Sequence, residues 1–125
     1  MSTNIFNDQA KFMTACGQTV GSLDQPQYAM FLTLIEEEFD ELTDAVAAND
    51  TVEQLDALLD ILVVTIGALH SAGFDAQGGW DEVLRSNMSK VDIETGKVIR
   101  REDGKILKPE SYSPPDLTPF VTIGY

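Results

Sequence analysis

Apolar residues recur at helical spacing along four stretches of the chain, and the residues between them supply starts and stops. Phe6, Ala10, Met13 and Gly17 fall on one face of a short first helix. Asn4 or Asn7 can cap it, and it runs to about Cys16 before Gly17, Gly21 and the Asp24-Gln25-Pro26 turn end it. A second helix is predicted to begin just after Pro26, with Tyr28, Phe31, Leu32, Ile35, Phe39, Leu42 and Val46 in an apolar stripe at heptad-like spacing. Asn49 and Asp50 interrupt the pattern. Asp50 or Thr51 can cap a third helix, and Glu53 stands three residues after Asp50, where a capping box places its acid. From Leu58 to Leu69 this helix is apolar on almost every side, which in so small a chain predicts a central element buried against several helices, with a subunit interface among its covers. Gly73 fits the C′ position that closes it, and Gly78-Gly79 separates it from a fourth helix running from about Trp80 to Val91.

After Asp92 the helical pattern stops. Residues 96–108 read as a β-hairpin, with Asp103-Gly104 as a two-residue turn signal between β-branched runs. Four of the five prolines fall between Pro109 and Pro119, so the last segment is expected to be an extended tail laid over another surface, a second subunit being one candidate. The expected fold is therefore all-α. It is a bundle of four helices (body 1–92) with a C-terminal hairpin and extended tail (93–125), in one domain, as suits 125 residues.

Composition sharpens this picture. Hydrophobic residues make up 43% against 23% charged, so a net charge of −13 does not mark the chain as disordered. Lys11 is the one basic residue before Arg85, against fifteen acids, whereas residues 84–125 hold seven basic and six acidic residues. A nucleic-acid polymer is not an expected partner of such an acidic body, because binding it needs a basic face that displaces counterions. Cys16 is the single cysteine, which rules out an internal disulfide and a thiolate metal site within one chain. A cytoplasmic, soluble protein is expected. The N-terminus lacks a basic region followed by an apolar run, and Ile61 to Leu69 is far short of the roughly 20 apolar residues that span a bilayer.

The acids themselves are patterned. Glu36, Glu37, Glu38, Asp40, Glu41 and Asp44 lie on the second helix, and Glu53, Asp56 and Asp60 on the third. At about 3.6 residues per turn, Glu37 and Glu41, Glu38 and Glu41, and Asp56 and Asp60 are neighbours on their helices, where like charges destabilise. Two arrangements tolerate this: acids splayed into solvent, or acids gathered around a multivalent cation. Oxygen-only ligands on two facing helices suit Mg²⁺ or Mn²⁺ and leave coordination places for phosphate oxygens. The chemistry implied is metal-assisted attack of water on a phosphoanhydride, with one glutamate taking the water's proton.

Glu37-Glu38-Phe39-Asp40-Glu41 resembles the Glu-Glu-x-x-Glu motif of the all-α nucleoside triphosphate pyrophosphohydrolases, the superfamily of MazG, dimeric dUTPases and phosphoribosyl-ATP pyrophosphohydrolase. Residues 56–64 are similar to that superfamily's second metal-binding helix. Residues 85–90, followed by Gly96-Lys97 and Asp103-Gly104-Lys105, resemble its phosphoribosyl-ATP-pyrophosphohydrolase-like branch. The likeness spans about residues 27 to 116. It implies that Glu37, Glu38, Glu41 and Asp60 surround Mg²⁺, that Glu38 or Glu37 orients the attacking water, and that Asn87 and Lys90 hold the nucleotide. It also implies a homo-oligomer, dimer or tetramer. Many members carry Glu three residues before the final aspartate; here that residue is Ala57, and Asp56 can point along the same face with a shorter side chain.

The implied reaction turns a nucleoside triphosphate into a monophosphate and pyrophosphate. Phosphoribosyl-ATP hydrolysis is the enzymatic alternative, and a non-enzymatic acidic helical adaptor the alternative from another class. On spacing alone, Asn87 and Lys90 sit one turn apart and can face the carboxylates from the fourth helix, or can form a solvated helix end. Arg85 suits a phosphate ligand or a surface ion pair. His70 reads as a structural residue before a base, Trp80 as a helix anchor before a stacking platform, and Cys16 as core.

Overall fold

The computed structural model describes residues 4–121; Met1–Thr3 and Thr122–Tyr125, the end of the expected tail, lie outside them. Its elements are α1 (Ile5–Ala15), α2 (Gln25–Ala47), α3 (Thr51–Ser71), α4 (Ala76–Met88), β1 (Ile99–Arg100), β2 (Ile106–Leu107) and a 3₁₀ turn at Thr118–Phe120. Four helices with a two-stranded antiparallel hairpin make the chain all-α in class.

Each helix starts on an Asn or Asp whose side chain accepts from the first free backbone N–H groups. Asn4 accepts from Phe6 and Asn7, Asp24 from Gln27, Asp50 from Glu53 and Asp75 from Gly78. The second helix therefore begins at Gln25, ahead of Pro26, because Asp24 and not the proline sets its start. The fourth begins at Ala76, not Trp80, and ends at Met88, so Gly78 and Gly79 lie inside its first turns. A Cβ on Gly78 would lie 2.5 Å from the capping Asp75 carboxylate and 2.6 Å from the Phe120 ring. The glycine thus serves close packing, not chain reversal.

The core gathers Met13, Phe31, Val64 and Ala68, with Val20, Tyr28, Leu34 and Ile35 packed against it. His70, at the end of α3, donates from Nε2 to the Phe6 carbonyl at 2.9 Å and ties α1 to α3. Gln27 donates to the Ser71 hydroxyl and the Thr19 carbonyl, both at 2.8 Å, and fastens the α1–α2 loop to the same end. Cys16 is exposed, contrary to a core placement, because it falls at the C-cap of α1 and not on its buried face. The third helix is central in position, yet Leu58 and Leu62 are 51% and 52% exposed, so one chain does not bury it on all sides.

The hairpin turn differs from a two-residue one. Gly104 donates to the Arg101 carbonyl at 2.8 Å, and Arg101 to that of Lys105 at 2.7 Å, leaving Glu102, Asp103 and Gly104 as a three-residue loop. Of these only Gly104 has positive φ (90°), whereas a type I′ turn needs it at two positions. The tail lies along its own α4, with Ser111 donating to the Ser89 carbonyl at 3.0 Å and the Asp116 N–H to Glu82 at 2.8 Å. No helix among the described residues is long and apolar enough to cross a membrane.

Candidate active site

The link Ala48-Asn49-Asp50 turns α2 back into α3 with little freedom. Asn49 has a left-handed φ of 53°, the Asp50 N–H donates to the Ala45 carbonyl at 3.0 Å, and the Asp50 side chain caps α3. One residue thereby closes one helix and opens the next, which fixes the antiparallel register. That register brings Glu38 and Glu41 of α2 opposite Asp60 of α3, with one carboxylate oxygen from each within 4.8 Å of the others.

Glu38 and Asp60 are half-buried and Glu41 is exposed. Glu38 Oε2 is fully covered and has no hydrogen-bond partner, a costly state for a carboxylate oxygen. The two ion pairs among the described residues, Arg85–Glu82 and Arg101–Asp103, lie elsewhere. Repulsion in the cluster shows in its proton affinities. The Glu38 carboxyl is pushed up to about 7, chiefly by a hydrogen bond with Glu41, then by burial, then by the charges of Glu41, Asp60 and Asp56. Asp60 is raised as well, first by burial and then by Asp56 and Glu41. Asp56 is exposed and outside the group of three, yet close enough to act on both. Ala57 is buried in the α2–α3 body.

Three oxygen-donor side chains with an orphaned oxygen among them fit a hard divalent cation. Glu38, Glu41 and Asp60 could hold one. Glu37 is exposed, and its carboxylate stands outside that group.

The other sequence candidates lie apart. Helix α4 meets α3 through Trp80 and Val83, which line an apolar groove of about 720 Å³ with Leu62, Ile66 and Leu69. Those α3 residues are about half a turn round from Asp60, so α4 covers the opposite face of α3. Within one chain, Asn87 and Lys90 are thus separated from the carboxylates by the thickness of α3. Lys90 lies beyond the helix end, and its Nζ donates to Asn87 Oδ1 at 3.2 Å. Arg85 is held by Glu82 through two hydrogen bonds of 2.6 and 2.9 Å, and it also donates to the Pro114 carbonyl at 3.2 Å. That ion pair, with the Asp116 N–H, holds the Glu82 carboxyl down at about 2. Its i,i+3 spacing was a readable signal. Trp80 is 55% exposed on the groove, where it anchors α4 beside Leu69 and leaves one face open.

A model of the phosphoribosyl-ATP pyrophosphohydrolase family matches residues 15–87, which take in the whole of α2, α3 and the carboxylate cluster. The chain belongs to that family. Phosphoribosyl-ATP pyrophosphohydrolases are hydrolases acting on phosphoanhydrides, and they form part of the MazG-like all-α superfamily. Their membership accounts for an acidic seam between two long helices better than an adaptor surface does. The match stops before Lys90, the hairpin and the tail. No curated protein matches the chain.

Proposed function

We propose that this protein is a Mg²⁺-dependent nucleoside triphosphate pyrophosphohydrolase that cleaves the α–β phosphoanhydride, releasing a nucleoside monophosphate and pyrophosphate. The observation that carries the reading is the covered, partnerless oxygen of Glu38, set between Glu41 and Asp60 with no basic side chain to neutralise it. Mn²⁺ would satisfy the same ligands. When bound, the cation would neutralise polyphosphate charge and acidify a water. Glu41, Asp60 and Glu38 would hold it, with Asp56 adding negative charge from the next turn. Glu38, the acid that the resemblance points to, is also proposed to orient the attacking water and receive its proton. Glu37, outside the group, is the weaker candidate for that step.

Asn87 and Lys90 are proposed as nucleotide contacts, with Arg85 supporting them from its clamp on Glu82. Because they lie across α3 from their own cluster, they suit the cluster of a second copy. Residues 1–125 would then act as one catalytic unit in a cytoplasmic homo-oligomer, dimer or tetramer, with no nucleic-acid polymer and no membrane as partner. Phosphoribosyl-ATP itself is the second substrate reading, favoured by the description of the matching family.

The test is a nucleotide panel, phosphoribosyl-ATP included, run with Mg²⁺ in ¹⁸O-labelled water. Attack at the α-phosphorus puts the label in the monophosphate and releases unlabelled pyrophosphate. Label in orthophosphate, with a diphosphate as co-product, would show cleavage at the γ-phosphorus and defeat the reading.

A further inference from the structure

The hairpin is held firmly at its base and left open on both faces. The Asp92 N–H donates to the Lys97 carbonyl at 2.9 Å, Asp92 Oδ1 accepts from the Glu94 and Thr95 N–H groups, and Val91 pairs with Val98. The strands then pack chiefly against each other, Ile99 opposite Leu107 and Arg100 opposite Ile106. Cross-strand partners share a face, so Ile99 and Leu107 stand together, 47% and 42% exposed. At period 2, Lys97 and Lys105 fall on that same face, one at each end of the apolar pair, while Arg100 falls on the other. A two-stranded hairpin with both faces open is marginal in water unless something packs on it.

Charge indicates what does. Residues 97–108 carry five of the chain's eight basic side chains and two of its 21 acids. Lys97 and Lys105 are exposed, and among the described residues neither has an ion-pair partner. Helix α2 is the opposite case: it carries six acids and no Lys, Arg or His. Its Glu36, Asp40 and Asp44 follow at i,i+4 along one exposed edge, beside the exposed apolar stripe of Leu32, Phe39 and Val46. The spacings agree. Lys97 and Lys105 stand about 13 Å apart along the strands at about 3.3 Å per residue, and Glu36 and Asp44 about 12 Å apart along the helix at about 1.5 Å per residue.

We propose that the hairpin of one copy docks on the Glu36–Asp40–Asp44 edge of a second copy, Lys97 and Lys105 spanning the acids and Ile99 and Leu107 covering apolar surface beside them. The chain exposes 8700 Å², roughly 2,000 Å² more than the about 6,600 Å² of a compact monomer of its mass, and that excess is what one partner contributes to an obligate interface. A nucleic-acid polymer suits the hairpin less well, because the rest of the chain repels it with nineteen acids against three basic residues. Each copy gives one hairpin and receives one, so the arrangement closes, and it neutralises the acidic edges that two copies would otherwise set against each other. The proposal rests on the homo-oligomer reading above and names its contact; it requires neither metal nor nucleotide.

Sedimentation of the full chain in EDTA tests it, with charge reversals on either side. Lys97→Glu with Lys105→Glu, and Glu36→Lys with Asp44→Lys, should each weaken self-association at least about tenfold, and an equimolar mixture of the two variants should associate as the wild type does. Lys11→Glu with Arg100→Glu changes the net charge as much as the hairpin pair and should leave association unchanged. Recovery in the mixture is a result that misfolded variants cannot give. An oligomer that withstands reversal of the hairpin lysines, or a mixture that stays dissociated, overturns this docking and leaves the homo-oligomer reading standing. A wild type that is monomeric at all concentrations overturns both, and one that is monomeric yet held on immobilised DNA through Lys97 and Lys105 assigns the hairpin to a polyanion instead.

Discussion

Phe31 lies so close against Gly67 that a Cβ at position 67 would sit 2.4 Å from ring carbon Cε1 and within 2.8 Å of two more ring atoms. Glu38 follows Phe31 by seven residues on α2, and Asp60 precedes Gly67 by seven on antiparallel α3. The packed pair and the acidic pair therefore lie on one seam, about two turns or on the order of 10 Å apart. Phe31 on Gly67 sets how closely the helices approach, and with it the spacing of the carboxylates.

Gly67→Ala should consequently destabilise the protein, although alanine is the better helix former by up to about 1 kcal/mol. Overpacking a buried ring costs about 1–3 kcal/mol, and contact with three ring atoms at once places this site toward the upper end. A net loss of about 1–2 kcal/mol is expected, seen as a lower urea midpoint at unchanged slope. Phe31→Leu in the same background should recover part of it. An unchanged or higher midpoint for Gly67→Ala would show that the ring yields freely and the seam is not set there.

Much of this seam was legible in the sequence. The Asp50 cap, the helical stripes and the acids at i,i+3 and i,i+4 placed two facing helices and nominated Glu38, Glu41 and Asp60. Which of the remaining acids converge was not readable, since Glu37 and Glu38 differ by one residue and only the helix rotation, set by Phe31 on Gly67, turns one inward. Gly78-Gly79 misled for a related reason: glycine signals a break by conformational freedom, yet Gly78 is there to admit Phe120. The approach of Lys90 to the Tyr112 ring, 5.9 Å from Nζ to the ring centre, left no local trace, because it depends on a tail strapped back over α4.

Raised proton affinity gives a pH dependence whose sign is fixed. With Glu38 near 7 folded and at its ordinary 4.5 unfolded, the folded state binds more protons between those values. Metal-free protein should then be most stable below about pH 4.5 as far as this group is concerned, and lose that contribution as pH rises toward 7; Asp60 acts in the same direction. Millimolar Mg²⁺ or Mn²⁺ should restore stability above pH 7 by binding the folded state alone. Melting curves in EDTA and in Mg²⁺ at pH 5 and pH 8 measure both effects. A metal-free melting point that rises from pH 5 to pH 8, with no response to either ion, would remove the cluster as a cation site.

Glu38→Gln and Asp60→Asn keep shape and remove charge. Each should lower turnover by at least about a hundredfold, as loss of a ligand or base does. The same substitutions relieve repulsion, so metal-free variants should melt higher than the wild type at pH 8 and respond less to Mg²⁺. Reduced activity alone could follow from misfolding; reduced activity with raised metal-free stability cannot. Wild-type rates in both variants would mean that the chemistry lies elsewhere.

The register that pairs Glu38 with Asp60 also sets Phe39 level with Leu59 and Val46 level with Val52, on opposite flanks of the seam because the two helices run antiparallel. All four are exposed, Phe39 at 60% and Val52 at 74%, and on α2 Leu32, Phe39 and Val46, spaced by seven, form one exposed apolar stripe. Full burial of Phe or Leu contributes about 1.5–3 kcal/mol each, so covering this face offers more than a single chain of this size can leave unused. A second copy offers an equally apolar and equally acidic-edged face, as a two-fold interface requires. Sedimentation should find the wild type as a dimer or tetramer, and Phe39→Glu or Leu59→Glu as monomers of lower melting temperature, each having placed a charge where the partner's apolar side chains would lie. If the catalytic unit also needs Asn87 and Lys90 from a second copy, turnover in these variants falls with dilution and recovers at high protein concentration. A wild type that sediments as a monomer at all concentrations would rule out that arrangement.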